Sequence, residues 1–422
     1  MIKLCEKKRI PKAFPRVLPN DSTRIVCSIS ELVSSSNAYC FALALMAFSD
    51  ILPRLICIQS VHLLFEAISL AGDAGLLLLI IRIIVVVRPE RRHVIFFSIL
   101  LAVFGMGYIS TGNSALVKAL ILLVASSDVE LWKVTRTCRI AFCLGLTIGV
   151  ISWMVGVFAG QPLDGFAGFD HKNQFALALF VIVALWFVER MTYRKEILAV
   201  EWGAVSAVIL ATALIVQSKT AAACMALLAV LCLALRIEAF EVILRSTAGQ
   251  LLAKAFQGIC LIFSVGTAVA LPVQPVVQVL DKIMTNRIWL NWYALQNHTL
   301  SLFGSNVNLN EGTGTAFNFV LQTGNNAVTV DNTYILSLFI LGVLPTIAFA
   351  VLFAWVMSQF FKDERYVVIC TALVLCLYGL MEAQMVDIFN NFIIILPLTT
   401  VHTPAHFKER RAKLREGLYT HE

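Results

Sequence analysis

Long apolar stretches broken by short polar or charged segments make up most of this chain. They are too long and too uniform to be strands of an outer-membrane barrel, which alternate apolar and polar positions. They read as helices that satisfy their own backbone in lipid. The pattern predicts twelve spans, at 30–50, 61–87, 93–111, 114–127, 140–158, 174–189, 198–217, 220–236, 254–271, 332–357, 366–382 and 386–401. The fourth is short and holds Lys118, so a re-entrant segment is the alternative there. One long interruption, residues 272–331, is mixed in polarity and rich in Asn. Within it Val276, Val279, Leu280, Ile283, Ile288, Trp292 and Leu295 recur at helical spacing. That spacing predicts an amphipathic helix over 276–297, lying on the membrane surface.

Composition supports the same class. The chain is 59% hydrophobic and 14% charged, with a mean hydropathy of +0.83, whereas soluble domains are about a quarter charged. The expected fold is all-α, a polytopic membrane protein of about 12 helices with one long extracytoplasmic loop. Its parts are a basic cytoplasmic tail (1–29), spans one to nine (30–271), the loop (272–331), spans ten to twelve (332–401) and a second basic tail (402–422). The N-terminal residues carry Lys3, Lys7, Lys8, Arg9, Lys12 and Arg16 and lack the apolar core of a secretory signal. The eleven cysteines show no CxxC spacing, so they read as buried hydrophobes, with neither a zinc site nor a disulfide framework.

Charge then orients the chain. With the N-terminus inside, most of the 33 lysines and arginines fall in the tails and inner connections, as the positive-inside rule requires. Nucleic-acid binding is therefore not implied by the net charge of +7. Arg54, Lys172, Lys219, Lys282 and Arg287 remain on the outer side. Headgroup snorkelling is an adequate reason for Arg54 and Lys282. The other three keep polar company. His171-Lys172-Asn173 follows Asp170 at a helix start, where Asp170 or Asn173 is the expected N-cap. Lys219 sits in the hairpin Gln217-Ser218-Lys219-Thr220, at a helix N-terminus suited to anions. Arg287 has the planar fork that clamps phosphate oxygens. It is followed by Trp289, Trp292 and Tyr293, rings on which a sugar can stack, and further on by His298 and the run Asp331-Asn332-Thr333-Tyr334. Carboxylates inside spans include Glu66, Asp73, Glu382 and Asp387, with Arg82 as a candidate partner for one of the first two. Such groups are costly in lipid and usually functional, so a proton or cation path is a second possibility.

The order of these motifs resembles the O-antigen ligase and polysaccharide polymerase superfamily, in particular the Wzy-type polymerases of capsular and exopolysaccharide clusters. The resemblance rests on His171-Lys172-Asn173, Ser218-Lys219-Thr220, the stretch Thr285-Asn286-Arg287-Ile288-Trp289, the turn Leu302-Phe303-Gly304, and Asp331-Asn332-Thr333-Tyr334 with Gly342. Glu382 and Asn390-Asn391 match a late Glu and Asn of the family. It covers roughly 140–400, with Lys219 standing where an arginine is more usual. Ligases carry a histidine late in the loop, whereas His298 falls well before its end, which favours the polymerase branch.

The resemblance implies a glycosyltransferase of the bacterial plasma membrane, with both termini cytoplasmic. It would move a glycan from polyprenyl diphosphate to a lipid-linked repeat unit, beside a chain-length regulator and a flippase as partners and in contact with membrane lipid. No metal or other cofactor is expected, since the outer side lacks an Asp-x-Asp motif. Protein cations must then stabilise the leaving diphosphate. The candidate catalytic residues are Arg287, His298, Asp331 and His171. The candidate substrate-binding residues are Lys172, Asn173, Lys219, Trp289, Trp292, Asn332 and Tyr334. A ligase acting on another acceptor, and a flippase or transporter of lipid-linked oligosaccharide, are the alternatives.

Overall fold

The computed structural model describes residues 35–87, 91–156, 166–193, 197–305, 320–323 and 326–401. Both expected basic tails, 1–29 and 402–422, lie outside the described residues. The described chain is helical apart from one short antiparallel ladder of β1 (Val320–Thr323) and β2 (Asn326–Thr329). Its helices are α1 (Ser36–Ile51), α2 (Ile56–Gln59), α3 (His62–Val85), α4 (Arg91–Thr111), α5 (Ala115–Ala125), α6 (Leu131–Met154), α7 (Lys172–Thr192) and α8 (Ala199–Leu214). There follow α9 (Lys219–Ala234), α10 (Glu238–Arg245), α11 (Thr247–Ala270), α12 (Pro275–Ile283), α13 (Arg287–Asn297), α14 (Thr333–Ile340), α15 (Val343–Lys362) and α16 (Tyr366–Gly379).

Seven of these elements are long and apolar enough to cross a membrane: Ser36–Arg54, His62–Val85, His93–Thr111, Leu131–Met154, Lys172–Thr192, Thr247–Ala270 and Val343–Lys362. An eighth arises if α9 and α10, bent by 102° at their junction, count as one. The expected twelve spans are thus not found among the described residues. Helix α5, with 11 residues, rises about 16 Å, well short of a hydrocarbon core of about 30 Å. Helices α8 and α16 are also short.

The last expected span, 386–401, is not an α-helix. It folds as turns and two 3-10 segments, Ala383–Val386 and Phe392–Ile395, and is buried nearly throughout. Polar side chains compete for the backbone here, with the Asp387 carboxylate accepting from the Phe389 amide at 2.9 Å. Pro397 removes a further helical donor. Hydropathy registers burial, and this segment is buried by protein. Helix α16, buried along almost its whole length, forms the hub with it. Helices α7, α9 and α11 pack on α16, α5 packs on Phe392–Ile395, and α1 bridges α3 and α6.

The expected span 332–357 is broken at Gly342, between α14 and α15. Gly342 has φ +96°, and a Cβ there would lie 2.1 Å from the Gly304 nitrogen. Gly304 has φ +84° and presses back on the Ile340 carbonyl. The Val343 and Leu344 amides donate to the Ser301 and Leu302 carbonyls at 3.1 and 3.0 Å. The Leu302-Phe303-Gly304 turn is therefore a clasp on the helix break, and both glycines are needed for backbone approach.

In place of one amphipathic helix over 276–297 there are two, α12 and α13. Thr285 (φ 56°) and Asn286 (φ 64°) break them with two consecutive left-handed residues. Asn tolerates that conformation, whereas a β-branched Thr does so only under strain.

Candidate functional site

Arg287 is the first residue of α13, and the left-handed turn before it sets its direction. Asp281 holds that turn: its carbonyl accepts from the Asn286 amide at 2.9 Å and its carboxylate accepts from the Trp289 amide at 3.0 Å. Asn286, the formal N-cap, makes no side-chain cap bond. Asp281 does that work from the preceding helix.

The guanidinium meets two carboxylates. Its Nη2 lies 3.4 Å from Glu382 Oε1 and 3.7 Å from Asp331 Oδ2. Asn173 Nδ2 donates to both Glu382 oxygens, at 3.1 and 3.3 Å. The Glu382 carbonyl accepts from Thr333 Oγ1 at 2.6 Å. Glu382 lies past the end of α16, outside the membrane-crossing helices, and its side chain is only 6% accessible. Burial pushes its carboxyl up to about 7, with Arg287 pulling the other way. Burial also raises Asp331, against the pull of Arg287 and His171. Asp331 is 36% accessible, so of the two it is the carboxylate a substrate can touch.

Three helix N-termini converge here. Those of α7 (through Asn173), α13 (through Arg287) and α14 (through Thr333) all reach Glu382. Lys219 is the first residue of α9. Lys172 is half-buried at the start of α7 and Lys219 is exposed; neither forms a salt bridge among the described residues. Around them, Ser218 Oγ, Gln174 Oε1, Asn291 Oδ1 and the Tyr378 hydroxyl are buried without a hydrogen-bond partner. Buried polar atoms rarely stay unsatisfied; Gln174 follows Asn173 on α7 and Asn291 lies one turn beyond Arg287 on α13.

The remaining sequence candidates divide. His171, rather than Asp170 or Asn173, is the N-cap of α7, its Nδ1 accepting from the Asn173 amide at 3.1 Å. With Nδ1 engaged as the cap acceptor, that nitrogen is not available as a base. Asn332 caps α14, accepting from the Tyr334 and Ile335 amides at 2.9 and 3.0 Å and donating to Ser264 and the Leu380 carbonyl. The Tyr334 hydroxyl turns into the core and donates to the Cys376 carbonyl at 2.8 Å. Both residues are accounted for by structure. Trp289 is exposed and lies against Tyr293 with ring centroids 5.4 Å apart and the planes tilted by 31°, and Trp292 is half-buried on the same helix. His298 follows the far end of α13, about 16 Å along the axis from Arg287, with its ring edge-on to Phe339.

A second charged cluster was not expected. Arg54 does not snorkel: it is buried and ion-paired with both Asp50 and Asp387, and it donates to Asn390 Oδ1 at 3.1 Å. Asp170 faces it, and burial raises that carboxyl to about 6. Arg82 pairs with neither Glu66 nor Asp73. It donates to the Ala125, Ser35 and Ser127 carbonyls, while Glu66 and Asp73 are exposed. The sequence offered Glu382 and Asp387 as acids within spans, Glu382 also as a match to the late Glu of the family it resembles, and their partners Arg287 and Arg54 lie far away in the chain. Among the described residues no group of His, Cys, Asp and Glu has the geometry of a metal site.

Compared with known proteins, the chain matches no protein-family model, no curated protein and no solved structure.

Proposed function

We propose that this chain is a membrane polysaccharide polymerase of the Wzy type, acting at the outer leaflet of a bacterial plasma membrane with both termini cytoplasmic. The observation that carries the reading is Arg287, held between Asp331 and Glu382 where three helix N-termini meet, in a chain whose described residues include seven helices long and apolar enough to cross a membrane. Lys172 adjoins Asn173 at the start of α7. Such a place suits a diphosphate, because helix N-termini and a forked cation supply donors that need no reorganisation as charge develops.

In this reading an acceptor sugar hydroxyl attacks the anomeric carbon of the donor glycan. The bond from that carbon to the diphosphate oxygen breaks, and polyprenyl diphosphate departs with the electron pair. Arg287, Lys172 and Lys219 take up the leaving charge. Asp331 receives the hydroxyl proton, since its carboxylate is accessible and burial raises its proton affinity. Glu382 and Asn173 position Arg287, and Trp289 with Tyr293 offers a stacking face to the sugar. His298 lies outside this chemistry.

Arg287→Ala in a strain lacking the native copy is expected to leave lipid-linked single repeats and no long chains. Wild-type chain lengths at normal protein level would remove Arg287 from the mechanism. A flippase is the second reading, favoured by the buried Asp50–Arg54–Asp387 cluster beside broken helices, a combination common in transporters. Flipping of lipid-linked glycan in liposomes without elongation would establish it instead.

A further inference from the structure

A cavity of about 470 Å³ lies between α6 and α7, lined by Trp132, Arg136, Arg139, Glu189 and Tyr193. Asn173, at the Glu382 site, and Glu189, in this cavity, stand at opposite ends of α7. Their separation along the helix is about 24 Å, close to the hydrocarbon thickness of a bilayer. The cavity therefore opens at the membrane face opposite the proposed catalytic site.

Its chemistry is cationic and amphipathic. Arg139 lies 3.0 Å from Glu189, which neutralises that pair. Lys133 and Glu130 neutralise each other at 2.8 Å. Arg136 is exposed and forms no salt bridge among the described residues, so it gives the cavity a net positive charge. The Tyr193 hydroxyl accepts from the Trp132 amide at 3.2 Å and retains its own proton to donate. Trp and Tyr with one apolar and one wet end belong at the level of lipid headgroups.

We propose that this cavity holds the phosphate of an anionic phospholipid headgroup, with Arg136 as the main charge contact and Tyr193 as a hydrogen-bond donor. Glu189 is engaged by Arg139 and so does not serve a choline or ethanolamine ammonium, which selects a headgroup of net negative charge. This assignment is independent of the polymerase reading. Arg236 supplies a control, being an exposed arginine over the ring of Trp202 at 5.8 Å, outside the cavity.

The test is native mass spectrometry of the protein released from nanodiscs of equal phosphatidylglycerol and phosphatidylcholine. The wild type is expected to retain phosphatidylglycerol in preference, Arg136→Gln to lose about fivefold of that retention, and Arg236→Gln to keep it. Excess inorganic phosphate should not displace the lipid. Equal retention of the two lipids, an unchanged Arg136→Gln, or displacement by inorganic phosphate would each overturn the assignment, the last by showing a site for soluble phosphate.

Discussion

Glu382→Gln isolates the one carboxyl that links Arg287 to α7 and α14. In the folded protein burial raises Glu382 to about 7 from an ordinary value of 4.5. A carboxyl raised in this way binds its proton more tightly folded than unfolded. Its contribution to stability is then fully present below the unfolded value and is lost as pH rises through about 7. Between pH 5 and pH 8 the loss amounts to about 2–3 kcal/mol. Glutamine keeps the shape and the oxygen that accepts from Asn173 and Arg287, but it cannot titrate. The stability difference between variant and wild type should therefore shift by that amount in favour of the variant as pH rises from 5 to 8. Asp170 and Asp331 titrate in both proteins and drop out of the difference to first order. The assay is unfolding by SDS in mixed micelles, followed by tryptophan fluorescence at several pH values. Parallel stability profiles for the two proteins would refute the reasoning, because they would mean that Glu382 is charged throughout or solvated.

Other perturbations probe the framework. Arg54→Met leaves Asp50 and Asp387 buried without their cation and should cost about 3–5 kcal/mol in the same unfolding assay. Adding Asp50→Asn and Asp387→Asn should recover much of that loss. Gly342→Ala puts a Cβ 2.1 Å from the Gly304 nitrogen at φ +96° and should destabilise by about 2 kcal/mol or more, whereas Gly203→Ala, with open space around it, should be near neutral or stabilising. Asp281→Ala removes the acceptor of the Trp289 amide and should cost about 1 kcal/mol, with faster hydrogen exchange confined to the start of α13.

The membrane class and the location of most apolar helices were legible because burial in lipid writes directly into hydropathy. The number of crossings was not. The segment 386–401 is as apolar as a span, yet Asp387, Asn390 and Pro397 give it a folded, non-helical path inside the protein. Lys172, Asn173, Arg287 and Asp331 stood out as polar residues in unusual places, and three of them meet at Glu382 or at Arg287. The pairing itself was hidden, because Glu382 follows Arg287 by 95 positions and nothing local marks it. Asp281 was missed for a similar reason: it caps a helix from across a turn, where the local capping pattern does not apply. Asn332 and Tyr334 looked like binding residues because polar groups near a span end look alike, whether they cap a helix or face a ligand. Arg54 illustrates the converse error, since a lone cation at a helix end reads as surface until its two carboxylates are in place.

The most direct measurement is chain elongation by purified protein in proteoliposomes supplied with polyprenyl-diphosphate-linked repeat units, read on a gel alongside release of polyprenyl diphosphate. Elongation by the wild type, and its loss in Asp331→Asn and Arg287→Gln with folding intact, is the predicted result. Polymer from Asp331→Asn at the wild-type rate, or flipping without elongation by the wild type, would contradict the account.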